Sequence, residues 1–258
     1  MLKGLSFEVR TNLFDRLLNH ENKILVVIDL SEKDNEQAIF DTINSAGVRL
    51  SSADIIKNAL FQKALELYDQ EDVELLYHEH WEKIFITDED KYWETPRPTG
   101  RLMRDNIEIL LHSIAVIKGF YDPDKHTLSD LSSCYKTYIA YLSPNNLTAF
   151  IQDIAKYARL FRDNIIVPDN KTLFTFGDSR TRLFHVLDVC EITTFHPYIL
   201  SLFFLFSTDE DRLNKELYKI EKLVIRRMIT RGNTKNYNKM CKECITDNMA
   251  IDKYILET

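Results

Sequence analysis

Glycine and proline are both scarce, six of each in 258 residues. An all-β fold leans on many tight turns, and turns lean on these two residues, so the scarcity points to long helices joined by short loops. Four cysteines spread over the chain do not make a disulfide framework, and a reducing compartment is the simpler expectation. Long apolar runs are missing as well. The longest cluster, Tyr198 to Phe206, is about half the length that spans a bilayer and reads as a buried core helix. Met1-Leu2-Lys3-Gly4 leads straight into a charged amphipathic stretch with no apolar signal core. A cytoplasmic protein without a membrane partner is the expectation.

What is present is ordinary for a folded domain: 45% apolar and 28% charged residues. The net charge of −7 is unevenly spread, however. Nine Lys/Arg and two Glu fall between Lys215 and Lys242, a local +7, which leaves −14 for the remainder. That segment is the one strong sign of an anionic partner.

Along the chain, Val9, Leu13, Phe14, Leu17 and Leu18 recur at helical spacing. Ile24-Leu25-Val26-Val27-Ile28 is β-branched and continuously apolar, as in a buried strand. A lone strand leaves its backbone N–H and C=O groups unpaired, so its neighbours are expected from another chain or from a sheet that precedes it. Beyond it the pattern turns helical. Gly47 reads as a helix stop, Ser51 with Asp54 as a capping box, and Thr208 with Asp211 as a second one. The polar stretch from Thr87 to Thr99 reads as a loop. Amphipathic helices are then expected on Met103–Ile114, on Leu128–Leu142, and on Leu147 through Phe150, Ile151, Ile154, Ala158, Phe161 and Ile165. Further helices are expected over Arg180–Ile192, Pro197–Ser207 and Asp209–Arg231, with Gly232 as a stop and a last helix from about Thr234.

The run Ala38-Ile39-Phe40-Asp41-Thr42-Ile43-Asn44-Ser45-Ala46-Gly47-Val48-Arg49-Leu50-Ser51-Ser52-Ala53-Asp54-Ile55-Ile56-Lys57-Asn58 closely resembles a signature of the GmrSD-type restriction proteins. Glu221 to Lys239 is similar to the helix pair that precedes the carboxy-terminal nuclease domain of that family. The resemblance implies a mainly α fold, a multi-helix bundle with a small α+β remnant at the amino end. Residues 1–86 would be the end of a ParB-like domain with a helical extension, and 99–258 a helical domain. Two features of the family have no counterpart here: the Asp-Gly-Gln-Gln-Arg motif that supports nucleotide hydrolysis, and a His-Asn-His nuclease pattern. The implied role is a non-catalytic scaffold and sensing region for nucleotide-dependent DNA restriction, an anti-phage defence. Its partners would be upstream ParB-like and downstream nuclease regions of a longer protein, with DNA as a further partner. The rival is a stand-alone helical interaction module, a homodimer through the amino-terminal strand.

Each candidate site has a plain alternative. Asn44, Gly47 and Arg49 read first as a helix stop before the Ser51 cap. As a cofactor site, the turn would offer backbone N–H groups and a guanidinium to a nucleotide phosphate. Lys219, Lys222, Arg226, Arg227, Arg231, Lys235 and Lys239 include spacings of three and four, which suits either a DNA-facing surface or a solvated face balanced by nearby acids. Cys241-Lys242-Glu243-Cys244 has a metal-like spacing but lacks the further ligands a structural zinc needs. His78 and His80 are two apart and so face different sides of a helix. No metal, no resident cofactor and no complete active site are expected.

Overall fold

The computed structural model describes Val9, Thr11 and residues 50–87, 91–99, 102–165, 177–232, 236–247 and 250–257. The chain divides into two compact units, Met1–Leu50 and Ser51–Thr258. The expected strand at 24–28 and the motif residues before Leu50 lie outside the described residues. In the second unit the architecture is mainly α, with ten α-helices and one two-stranded hairpin among the described residues.

Helix α1 spans Ser52–Leu67 and buries Ala53, Ile56, Leu60 and Ala64 at spacings of three and four. Ser51 Oγ caps it by accepting from the Asp54 backbone N–H at 3.1 Å, as the sequence predicts. Helix α2, Gln70–Tyr77, continues into wider π-type turns over His78–Ile86, where the Thr87 N–H reaches back five residues to the Glu82 carbonyl. That segment buries Trp81 and Phe85. Trp93 packs on Phe85 and donates its indole N–H to the Ile84 carbonyl at 2.6 Å, which holds residues 91–95 down against the core.

The stretch 87–99 lies within this second unit, and its end is a strand. Strands β1, Pro96–Thr99, and β2, Leu102–Asp105, pair antiparallel with Arg97 opposite Arg104. The hairpin corrects two sequence expectations: the loop at this point, and a helix beginning at Met103. Met103 is exposed on β2, and helix α3 spans Asn106–Ile117. Proline is tolerated because both strands of a two-stranded hairpin are edges.

Helix α4, Leu131–Ala140, follows a short 3₁₀ turn, and Pro144 opens α5, Pro144–Asn164, from the first-turn position where its missing N–H costs nothing. On α5, Leu147, Phe150, Ile151, Ile154, Ala158 and Phe161 are all buried, the stripe expected from their period. Helix α6 is Ser179–Val189, and α7, His196–Leu205, is buried on every side from His196 to Phe203, while Leu205 at its end is exposed. Helix α8, Glu210–Ile229, packs along α6. Asp209 caps it by accepting from the Arg212 N–H at 3.0 Å, one residue later than the expected Thr208 cap. The carboxyl-terminal helix divides in two at Asp247: α9, Tyr237–Thr246, and α10, Ala250–Leu256. Among the described residues no helix is long and apolar enough to cross a membrane.

The stop after α8 also differs from expectation. Gly232 donates back to the Arg227 carbonyl at 2.7 Å, and the left-handed residue is Arg231, at φ 54°. A Cβ on Gly232 would meet Arg227 Cβ at 3.3 Å, so the glycine serves close approach rather than handedness. A side chain in the left-handed region costs on the order of 1 kcal/mol. Arg231→Gly is therefore expected to raise the melting temperature by about 2–4 °C in a thermal scan. An unchanged or lower value would mean the strain is absent.

Candidate anion-binding site

Arg97 and Arg104 are register partners across the hairpin, and their side chains enter the walls of two different cavities. Neither forms an ion pair among the described residues, although the Glu108 carboxylate acts on Arg104 through space. Arg97 donates to the Tyr92 hydroxyl at 3.4 Å and lies 5.7 Å from the centre of that ring. Arg104 donates to the Glu108 backbone carbonyl at 3.3 Å. Both side chains are half-buried, and burial lowers both guanidinium pKa values, with Tyr92 and Glu108 offsetting part of the cost.

Two cavities open beside this pair. A polar one of about 250 Å³ includes Arg104, His112, His126, Thr127, Thr193 and Thr194 in its wall. A larger, more apolar one of about 600 Å³ includes Arg97, Asn106, Phe184, Leu187, Asp188 and Glu191. Ile109, Thr193 and His196 line both, so the cavities adjoin. Asn106 and His196 are the first residues of α3 and α7, two helices that pack along each other. Two positive helix ends thus converge where the two arginines already stand.

The polar groups at this junction are poorly satisfied. His196 Nδ1, Asn106 Oδ1, Arg97 Nε and Thr194 Oγ1 are all sealed from water without a hydrogen-bond partner. Asn106 is fixed by donating its amide to the Tyr92 carbonyl at 2.7 Å, which leaves its oxygen as the orphan. Burial, and next the Arg97 charge, hold His196 down to about 4. Burial, then Arg104 and His196, hold His112 down to about 3. Both imidazoles are therefore neutral near pH 7. Natural proteins leave few buried polar groups unpaired, so four at one junction mark a place for a ligand; Arg97 Nε and the Thr194 hydroxyl can donate to an anion, whereas Asn106 Oδ1 can only accept.

The sequence-predicted sites fall elsewhere. Asn44, Gly47, Arg49 and Lys235 lie outside the described residues. Among the described residues, three of the other basic side chains are engaged locally. Arg226 donates to the Ile255 carbonyl at 2.8 Å, and Arg227 lies 5.4 Å over the Tyr237 ring. Lys239 sits 3.8 Å from Glu243, Lys222 is half-buried and Arg231 exposed. In the same segment, Lys219 is held between Glu216 and Asp252, and Lys242 pairs with Asp122 at 2.8 Å. Cys241 and Cys244 are buried, and burial pushes both thiols up to about 12. Among the described residues no three His, Cys, Asp or Glu side chains gather as metal ligands.

Sequence reading missed Arg97, Arg104, His112 and His196. One signal was there: two short runs two residues apart have hairpin spacing, and a hairpin would have set Arg97 in register with Arg104. The chain matches no protein-family model, no curated protein and no solved structure.

Proposed function

We propose that the chain is a helical scaffold and sensing region, non-catalytic by itself, of a GmrSD-like system for nucleotide-dependent DNA restriction in anti-phage defence. The resemblance of Ala38 to Asn58 to that family's signature supports the assignment to such a system. The observation that carries the sensing role is the Arg97–Arg104 pair: two half-buried cations, neither in an ion pair among the described residues, in the walls of two adjoining cavities. An arrangement of this kind binds an anion, because a bound negative charge relieves the burial cost of both. In this reading the bundle links a ParB-like nucleotide-hydrolysing region to a nuclease region, and ligand in the cavities biases the coupling between them.

Turnover tests the reading. The purified chain alone is expected to hydrolyse neither GTP nor ATP and to leave DNA uncut. Both activities are expected once ParB-like and nuclease regions of the system are supplied. Arg97→Met with Arg104→Met is then expected to weaken the coupled cleavage while the helical circular-dichroism signal is kept. Hydrolysis or cleavage by the chain alone would end the non-catalytic assignment.

A further inference from the structure

We infer that the joined cavities bind a phosphomonoester of a flat organic ring, with the phosphate at the Thr193–His196 junction between Arg97 and Arg104 and the ring in the larger cavity. This deepens the anion-sensing reading above and rests on it.

Three observations select this class. The first is charge. Arg97 stands in the wall of the larger cavity and Arg104 in that of the smaller one; a dianion at their shared boundary suits two cations, whereas a carboxylate offers one charge and two oxygens. The donors are also numerous: two guanidiniums, the Thr193 and Thr194 hydroxyls, and the amino ends of α3 and α7. Three terminal phosphate oxygens can use such a set, and a carboxylate would leave most of it idle.

The second is shape. The volume of about 600 Å³ lies in the range of small-molecule sites, and the wall supplied by Pro98, Phe184, Leu187 and Ile192 is apolar. Inorganic phosphate would fill only the junction and leave this wall uncovered. A flat ring buries it.

The third is the pattern of acceptors in the larger cavity. Asp188 and Glu191 line it, and neither is ion-paired among the described residues. A ring bearing amino or hydroxyl donors satisfies them, and a second acidic group there would be repelled. A ligand with one phosphate end and one donor-bearing end therefore fits both halves, as nucleoside monophosphates do.

Calorimetric titration of the full chain with four probes decides the matter: AMP, phenyl phosphate, inorganic phosphate and benzoate. AMP and phenyl phosphate are expected to bind at least about tenfold more tightly than inorganic phosphate, from burial of the ring. Benzoate is expected to be weakest. Arg97→Met and Arg104→Met should each weaken the phosphate probes by roughly tenfold or more, since a hydrogen bond to a charged group is lost. Phe184→Ala should weaken AMP and phenyl phosphate but not inorganic phosphate. If inorganic phosphate binds as tightly as the ring phosphates, or benzoate binds as tightly as phenyl phosphate, the ligand class is wrong while an anion site remains. If none of the four binds to the wild-type chain, the anion-sensing reading falls with it. The wild-type titrations decide between these outcomes even where a variant fails to fold.

Discussion

As the pH falls from 6.5 toward about 4, the protein is expected to lose several kcal/mol of stability, with His196 and His112 as the cause. Both folded-state values lie below the ordinary 6.5, at about 4 and about 3. Between those values and 6.5 the unfolded chain takes up protons that the folded chain refuses. Stability is therefore complete above 6.5 and drains away as the pH drops, levelling only once the folded imidazoles titrate. At roughly 1.4 kcal/mol per pKa unit, each histidine contributes on the order of 3–5 kcal/mol. The charged groups around them do not reverse the sign. Arg97 and Arg104 on the hairpin oppose a second positive charge, and Asp188, Glu191 and Glu108 form no ion pair with either imidazole. Carboxylates held below their ordinary values, such as Asp122 and Asp130, begin to matter only near 3.8, so the fall from pH 6.5 to 5 belongs to the histidines. Urea midpoints measured from pH 7.5 to 5 check this. His196→Gln should flatten part of the slope, and His112→Gln another part. A wild-type midpoint constant across that range would show that the imidazoles are not buried as described. Millimolar phenyl phosphate should make the fall smaller, because an anion beside the imidazoles raises their folded-state pKa toward 6.5.

The helices were legible for a physical reason: a 3.6-residue period is local, so α1, α5 and α7 can be read from neighbours within a few residues. The stripe from Leu147 to Phe161 and the Tyr198–Phe203 run, apolar but for Ser201, needed no knowledge of what they pack against. The hairpin was hidden because four-residue strands give too few alternations to count, and Pro96 and Pro98 argue against a strand interior. Met103 then fitted the helical period of the residues after it by coincidence of spacing. The cavity residues were invisible for another reason. Arg97, His112 and His196 come from separate segments, and only the packing of α3 against α7 and the fold of the hairpin bring them together. The basic segment shows the converse. Its charge count was right, but which cations are free depends on Glu243, Asp252, Asp122 and the Ile255 carbonyl, none of which periodicity could place.

Removal of the Arg182 guanidinium is expected to be the most destabilising single change outside the apolar core, at about 3–5 kcal/mol. Arg182 on α6 grips Glu221 on α8 with two parallel hydrogen bonds, Nε to Oε1 at 2.6 Å and Nη2 to Oε2 at 2.9 Å. Side-chain exposures of 14% and 6% leave water little access to either charge. In water the same pair would contribute almost nothing, but here each charge depends on the other to compensate for lost hydration. Arg182→Met keeps most of the stem and leaves a carboxylate buried between two packed helices, with Lys222 only half-buried beside it in sequence. Glu221→Leu makes the reciprocal cut. Together, the two substitutions replace an ion pair by apolar contact of similar volume, and the double variant is expected to recover most of the loss of either single one. Chemical denaturation of the four proteins gives the cycle directly. A double variant no more stable than Arg182→Met would mean that the α6–α8 contact depends on the hydrogen bonds themselves rather than on compensating a buried charge. Full recovery would instead identify Glu221 as an acid held within a cationic segment by one arginine, so that the charge of α8 seen by any anionic partner depends on α6 remaining docked.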